Sequence, residues 1–285
     1  YTEASRGCKH LCRHCPVVPV YKGAFRVVQR DIIMKDICKQ VEQGARHITF
    51  GDPDFFNGIR HALGLVQEMN VEYPDLTYDL TIKVEHLLKY ADHLAVLRDT
   101  GCAFVTSAVE AIDNRVLEIF DKGHTREDFV RVVKCFNEKG LVLNPTFVTF
   151  TPWTTLDSYR DLLSFLLELD LVDHVSPVQL AIRLLIPAGS RLLELGEVRE
   201  VLGFFDSSLL SWTWRNQDAR LDALHRDVLE IVRVGEETDL GRREVFTEVW
   251  KTVHRAEGIE DEKIPELPLR PSLAKIPFRT EPWYC

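Results

Sequence analysis

Three cysteines lie close together near the start of the sequence, with the spacing Cys8-x-x-x-Cys12-x-x-Cys15. Thiolates on one short loop can bind three irons of a [4Fe–4S] cubane, which leaves the fourth iron without a protein ligand. An open metal position of this kind is where a substrate binds. Two alternatives compete with a cluster: a structural zinc site with His10 or His14 as its fourth ligand, and chance clustering.

The elements that must position these cysteines favour the cluster, because the loop follows the first strand of a repeating series. Short apolar strands alternate with amphipathic helices, which predicts a parallel α/β fold. Six strand–helix units predict an open (βα)6 partial TIM barrel, smaller than the eightfold barrel. The first strand is expected to end near Ala4. The other five strands are expected to cover 47–51, 76–84, 102–107, 141–149 and 175–185. The helices are expected over 28–44, 58–70, 87–99, 114–120, 126–139 and 156–169.

Beyond the barrel the pattern changes to helices only, of which 218–234 and 242–254 are the clearest. From residue 264 the chain is punctuated by prolines and reads as irregular. We therefore expect three parts, which are a barrel over 1–195, a helical extension over 196–263 and an irregular tail over 264–285.

The second strand is followed by Gly51-Asp52-Pro53, at the end of the strand where α/β enzymes place ligand contacts. Glycine permits a close backbone approach, and proline removes a competing hydrogen-bond donor. These three residues are therefore candidates for binding a ligand. The alternative is an ordinary strand-end turn capped by Asp52.

The third strand ends in a polar stretch in which alternation would place Thr81, Lys83 and Glu85 on one face. A lysine and a glutamate facing a barrel interior need partners, because unpaired buried charge is costly. The pattern indicates either a polar ligand, with Glu85 a candidate to contact substrate, or a charge pair at the barrel rim.

The cysteine spacing after a first barrel strand resembles the hallmark of the radical S-adenosylmethionine (SAM) superfamily, and the resemblance covers about residues 1–195. It implies a [4Fe–4S] cluster on Cys8, Cys12 and Cys15, whose open iron chelates the amino and carboxylate groups of SAM. It also implies reductive cleavage of a carbon–sulfur bond of SAM, with an electron donor such as flavodoxin or ferredoxin.

The same resemblance implies where SAM is held. Gly51-Asp52-Pro53 is similar to the Asp-Pro variant of the stretch that accepts hydrogen bonds from the SAM amine, and Lys83 is assigned to the same ligand. The stretch ending in Glu110 resembles one whose acid lies near the SAM ribose or amine. Arg183 stands where relatives often place an arginine that meets the SAM carboxylate; its alternative is an ion pair with an acid at the rim.

Several unusual strings resemble one small group of radical SAM proteins, named for a Cys-Cys-Ala-Glu-Pro or selenocysteine-containing tail. These strings are 7–10, 48–55, 83–86, 150–153 and 182–185, and 281–285 would lead into the tail. The resemblance implies transfer of a 3-amino-3-carboxypropyl group from SAM to trivalent arsenic, held by thiols that include Cys285. Soft thiolates do bind soft, thiophilic elements. An incidental terminal cysteine is the alternative.

Composition narrows the partners. The formal net charge of −9 argues against nucleic acid, which normally requires a basic surplus. The sequence contains no run of eighteen apolar residues, so no membrane-spanning helix is predicted. Seven cysteines, three of them clustered, point to metal and a reducing cytoplasm rather than a disulfide framework. Because the sequence begins at Tyr1 without Met, a preceding segment is expected.

The substrate is expected to be a small molecule or a thiol-bound heteroatom, and no catalytic side chain stands out. Three other functions stay open at this point. They are hydrogen abstraction by a 5′-deoxyadenosyl radical from an unknown small molecule, modification of a peptide or an RNA, and a non-enzymatic, zinc-stabilised binding protein.

Overall fold

The computed structural model describes residues 1–259. The strands, in chain order, are β1 (Ser5–Gly7), β2 (Phe25–Val27), β3 (His47–Thr49), β4 (Thr77–Thr81), β5 (Cys102–Glu110), β6 (Leu143–Phe147), β7 (Leu202–Asp206) and β8 (Ser211–Trp214). The α-helices, in chain order, are α1 (Val17–Tyr21), α2 (Arg30–Glu42), α3 (Ile59–Glu72), α4 (Val84–Lys89), α5 (Leu94–Asp99), α6 (Asn114–Phe120), α7 (Arg126–Lys139), α8 (Leu156–Glu168), α9 (Gly196–Val201), α10 (Ala219–Glu237) and α11 (Arg242–Ala256).

The largest sheet of the described residues is four-stranded and parallel, with the strand order β3-β4-β5-β6. Ile48 of β3 pairs with Tyr78 of β4, and Leu80 of β4 pairs with Val105 of β5. All four side chains are fully buried. Buried apolar residues such as these, recurring between amphipathic helices, made the strands predictable although β3 and β4 also contain polar residues. The predicted α/β class is confirmed.

The predicted first and sixth strands form one parallel bridge each, Thr2 with Phe50 and Arg183 with Phe150. A strand over 175–185 is wrong, because Pro177–Leu180 forms a 3₁₀ helix. Proline fixes φ near the helical value and lacks an N–H, so it favours the first position of a helix. Ser176, in extended conformation, supplies the residue before that start.

The N-terminal segment continues further than expected. Instead of ending near Ala4, it extends into β1, which pairs antiparallel with β2, so that Ser5 faces Val27 and Gly7 faces Phe25. The cysteine loop and α1 lie between the two strands of this hairpin. The sequence analysis did not predict β2 or α1.

The predicted bounds of a helix agree with the structure where clear capping residues mark both of its ends. Helix α7 has the predicted bounds, because Thr125 and Asp128 form a capping box and Gly140 ends it in the left-handed conformation. The single helix predicted over 87–99 is wrong. It is divided into α4, a 3₁₀ turn over Ala91–His93 and α5, and the strand before it ends at Thr81.

The chain divides into two compact units. The first unit consists of Tyr1–Val109 and Asp121–Pro145, and its core includes Leu65, Met69 and Leu97, none of which is more than 1% exposed. The second unit consists of Glu110–Phe120 and the chain from Thr146. Its core includes the buried residues Val116, Ile119, Phe120, Leu184, Ile186, Leu192, Val198 and Trp214.

The region expected to be only helical contains a β-hairpin, since β7 pairs antiparallel with β8. The prediction of helices alone is therefore wrong for 202–214. Aromatic residues and threonine have high strand propensity, and both strands are rich in them. The boundary at 195 stays a prediction, and the tail over 264–285 lies outside the described residues. Within residues 1–259, no helix combines the length and the apolar character needed to cross a bilayer.

Candidate functional site

The cysteine loop begins at a glycine that the backbone requires. Gly7 has φ +78°, and an added Cβ would lie 2.1 Å from the carbonyl oxygen of Ala24. Only glycine tolerates this left-handed turn at such close backbone approach. The chain thus leaves β1 abruptly, and Cys8 follows at the first position of the loop.

The other end of the loop is closed by backbone hydrogen bonds. Cys15 N donates to Cys12 O at 3.3 Å, and Val18 N donates to Cys15 O at 3.3 Å as α1 begins. None of the three cysteines of the motif is in a disulfide; Cys12 is buried, and Cys8 and Cys15 are half-buried. Three thiols on one closed loop fit the donor set of an iron–sulfur cluster.

A hydrogen bond acts on the Cys8 thiol, and burial changes the pKa of the Cys15 thiol. Asn57 Nδ2 donates to Cys8 Sγ at 3.4 Å, and Asn57 Oδ1 accepts from Lys9 N at 3.3 Å. The turn after β3 is therefore attached to the loop through one amide, a contact the sequence analysis missed. Burial raises the pKa of the Cys15 thiol, so metal binding at this position must displace a proton.

Asp52, a predicted SAM contact, is engaged by the N-terminal segment. Its carboxylate accepts from Ala4 N at 2.9 Å and from the hydroxyl of Ser5. Burial raises the pKa of Asp52 to about 6, although these hydrogen bonds act in the opposite direction. Asp52 is thus an acceptor for the N-terminal segment, whereas the turn after β3 is capped by Asp54; the role of Asp52 towards SAM stays a prediction.

The neighbours of Asp52 also face the first residues of the chain. Gly51 N donates to Thr2 O at 2.8 Å, and a Cβ at Gly51 would lie 1.6 Å from the hydroxyl oxygen of Tyr1. A side chain at this position would have to displace the exposed ring of Tyr1. Pro53 is exposed.

Lys83 and Glu85 form an ion pair rather than a strand face. Lys83 precedes α4 and Glu85 lies in its first turn, so strand alternation does not reach them. Lys83 Nζ lies 3.0 Å from Glu85 Oε2 and 3.1 Å from His10 Nδ1. Burial raises the pKa of Glu85, but the hydrogen bond and charge of Lys83 outweigh it and lower the pKa. The charge-pair alternative describes this geometry.

A second constellation, His10, Asp54 and His86, was not predicted as a group. Asp54 Oδ2 lies 2.7 Å from His86 Nδ1 and 3.6 Å from His10 Nε2, and Asp54 and His86 are buried. Asp54 Oδ1 caps the turn after β3 by accepting from Phe56 N at 3.3 Å. Burial, and then the charge of Lys83, lowers the pKa of His10. These residues come from the loop and from the segments after β3 and β4.

The remaining predicted SAM contacts, Glu110 and Arg183, belong to the second unit. Glu110 ends β5 at φ +71°, a conformation uncommon for a residue with a side chain. Arg183 Nη1 lies 2.9 Å from Asp222 Oδ1, its Nη2 donates to Trp214 O at 2.8 Å, and its guanidinium lies 3.7 Å from the Trp214 ring centre. Arg183 thus has the acid partner of the alternative interpretation, and contact with SAM stays a prediction.

Comparison with known proteins identifies the family. The radical SAM superfamily model matches residues 2–166, and the chain belongs to that superfamily. It is 25% identical over 197 residues to a tRNA-2-methylthio-N(6)-dimethylallyladenosine synthase of Moorella thermoacetica, covering 61% of this chain and 40% of that protein. It is 23% identical over 189 residues to the ribosomal protein uS12 methylthiotransferase RimO of Pelotomaculum thermopropionicum, covering 59% of this chain and 40% of that protein.

A solved structure shows the same fold over most of the chain. The cobalamin-dependent SAM radical enzyme OxsB superposes with a TM-score of 0.68 at 14% identity, covering 90% of this chain and 48% of that chain. This chain spans less than half the length of either relative or of OxsB. The superfamily assignment makes the protein an enzyme whose cofactors are a [4Fe–4S] cluster and SAM. The non-enzymatic zinc-binding alternative is therefore wrong.

Proposed function

We propose that this protein cleaves SAM reductively at a [4Fe–4S] cluster bound by Cys8, Cys12 and Cys15. The observation that carries the proposal is the closed loop on which these three cysteines lie outside any disulfide. The loop is anchored at one end by Gly7 and closed at the other by the hydrogen bond from Cys15 N to Cys12 O. The loop offers three thiols, which leaves one iron of a cubane open for SAM.

Cys8, Cys12 and Cys15 would hold the cluster, which would supply the electron for reductive cleavage of one carbon–sulfur bond of SAM. The chain's own residues would bind and orient SAM and adjust the reduction potential of the cluster. Asn57 donates to Cys8 Sγ at 3.4 Å, and a hydrogen bond to a ligand sulfur stabilises the more negative, reduced state. From the resemblance to radical SAM proteins, we propose that the residues that contact SAM are Gly51, Asp52, Pro53, Lys83, Glu110 and Arg183. A flavodoxin or ferredoxin would supply the electron.

The substrate proposed is a small molecule or a thiol-bound heteroatom in a reducing cytoplasm. The acidic net charge of −9 supports a partner other than nucleic acid, which the tRNA-modifying relatives act on. A finer candidate is transfer of the aminocarboxypropyl group to trivalent arsenic. It is supported by the unusual strings that resemble tail-bearing radical SAM proteins, and by Cys285, which lies outside the described residues. Hydrogen abstraction is the other outcome.

The test begins with anaerobic reconstitution. About four irons and four sulfides per chain are expected, with a reducible cluster signal in electron paramagnetic resonance. Alanine at Cys8, Cys12 or Cys15 should abolish SAM cleavage, whereas Cys135→Ala, a half-exposed thiol on α7, should leave it intact. Retained turnover in a loop variant, or a colourless protein that binds only zinc, would overturn the proposal.

Product analysis after dithionite reduction separates the two chemistries. Methylthioadenosine together with an arsenic–carbon product, formed only when arsenite is present, supports aminocarboxypropyl transfer. If 5′-deoxyadenosine is the sole product and arsenite changes nothing, hydrogen abstraction is the reaction and the arsenic candidate is refuted. Both outcomes leave the cluster assignment standing, so the two levels of the proposal are tested separately.

A further inference from the structure

We infer that His10, Asp54 and His86 form a second metal site, for one divalent ion of the zinc or ferrous class, separate from the cysteine ligands. Each residue offers one donor atom, and the three atoms lie within 4.8 Å of one another. His10 Nε2 lies 3.6 Å from Asp54 Oδ2, and His86 Nδ1 lies 2.7 Å from it.

These donor atoms are buried and lack aligned hydrogen bonds. His10 Nε2, Asp54 Oδ2 and His86 Nδ1 are each shielded from solvent, and the 2.7 Å contact does not have hydrogen-bond geometry. The side chains of Asp54 and His86 are 2% and 10% exposed. Buried polar atoms normally have partners, so three of them lying close together without hydrogen bonds indicate an ion.

The opposite side of Asp54 is fixed by protein contacts. Asp54 Oδ1 accepts from Phe56 N at 3.3 Å and from Lys83 N at 3.4 Å, which orients Oδ2 towards the two imidazoles. Metal ligands are typically oriented in this way through their second polar atom. The carboxylate is thus aimed by the backbone of two segments, one after β3 and one at the start of α4.

The spacing suits a tetrahedral ion after a small adjustment. Ligand atoms bonded to zinc at 2.0–2.2 Å are separated by roughly 3.4 Å in a tetrahedron. The separation between His10 Nε2 and Asp54 Oδ2 already has this size, and His86 Nδ1 must withdraw from Asp54 by less than about 1 Å. The two imidazole nitrogens, which lie within 4.8 Å of each other, must also come to this separation when the ion binds. Two imidazoles and one carboxylate suit zinc or ferrous iron, and they leave a position open for water or an oxygen ligand.

Lys83 and Glu85 would control how tightly the ion binds to this site. An ion on His10 Nε2 leaves a proton on Nδ1, so Lys83 Nζ, now 3.1 Å from Nδ1, must give way. Glu85 Oε2, 3.8 Å from the same nitrogen, is placed to accept that proton's hydrogen bond. Glu85 would thus become the carboxylate partner of a metal-bound histidine, and Lys83 would compete with the metal.

The test uses the full chain reconstituted anaerobically, then exposed to zinc and freed of excess by gel filtration. We expect about four irons and one zinc per chain. Asp54→Asn and His86→Gln should lose the zinc and keep the iron. The matched control, His93→Gln, removes an exposed imidazole of the neighbouring turn and should retain both metals.

The supporting residues give a readout that a merely structural cluster would not move. Glu85→Gln should weaken zinc binding by roughly 10–100-fold, as loss of an outer carboxylate partner does. Lys83→Met should strengthen it. Both variants keep all three ligands, so they carry the test even if His86→Gln fails to fold.

A triple Cys8, Cys12 and Cys15 alanine variant separates this site from the cluster. It should take up no cluster but still bind one zinc, and with Co²⁺ it should show absorption of nitrogen and oxygen ligands without thiolate charge transfer. Zinc binding that disappears with the cysteines, that survives in both Asp54→Asn and His86→Gln, or that is absent from the wild type would overturn the inference.

Discussion

Replacing Asp52 by Asn should change how the stability of the protein depends on pH. Asp52 is 2% exposed, and burial raises its pKa from 3.8 to about 6. Since one pKa unit equals about 1.4 kcal/mol, ionising Asp52 in the folded protein costs on the order of 3 kcal/mol relative to the unfolded chain. A raised pKa means that the stabilisation is present below pH 3.8 and is lost as pH rises through 6.

The substitution keeps the contacts while removing the charge. The asparagine Oδ1 can still accept from Ala4 N, and its Nδ2 can donate to the hydroxyl of Ser5. The free energy of unfolding of Asp52→Asn, minus that of the wild type, should therefore rise by about 2 kcal/mol between pH 4 and pH 6 and then level off.

Urea unfolding of both proteins at each pH gives this difference directly, because every other titrating group cancels. Asp75→Asn, which removes an exposed carboxylate of the same unit, is the control and should show no such rise. If the wild type and Asp52→Asn give parallel stability curves from pH 4 to pH 8, Asp52 does not carry the buried charge described, and the reasoning is refuted.

Other variants test single contacts. Gly7→Ala should destabilise the protein by more than about 1 kcal/mol and reduce iron uptake, whereas Gly44→Ala, also at positive φ but in open space, should spare the iron; equal iron loss would contradict the backbone argument. Asn57→Ala should make the cluster's reduction potential more negative in a redox titration, and an unchanged potential would remove the hydrogen bond to Cys8 from the account. Arg183→Lys should lower the free energy of unfolding by about 1–2 kcal/mol, because lysine cannot reproduce the two hydrogen bonds and the ring contact; an unchanged urea midpoint would show that those contacts are not stabilising.

The sequence predicted the parts of the fold whose signals are local. The α/β alternation could be predicted because short segments with buried apolar residues alternate with amphipathic helices. The bounds of α7 followed from the capping residues Thr125 and Asp128. The sixth strand failed because apolar content alone cannot distinguish a strand from a 3₁₀ turn that starts at Pro177. The β7–β8 hairpin was missed because its strands are short and lie between helical patterns.

The residues of the candidate site also differ in whether local sequence could predict them. The cysteine motif could be predicted because its ligands lie within one short stretch of sequence. His10, Asp54 and His86 come from three segments, and no spacing rule connects them until the strand ends are placed side by side. The pairing of Lys83 with Glu85 depended on where β4 stops, which is among the least certain features of a sequence-based prediction.

The antiparallel pairing of β1 with β2 has a consequence for how metal reaches the cysteines. It joins the two ends of the segment 8–24, so the entropy of closing that loop is lost during folding rather than at the arrival of iron. A loop closed in this way restricts the positions that its three thiols can take before iron arrives, and cluster assembly then requires less further ordering of the chain. Slipping the register between Gly7 and Phe25 would transfer that ordering cost to the assembly step, and cluster insertion would slow even though every cysteine is still in place.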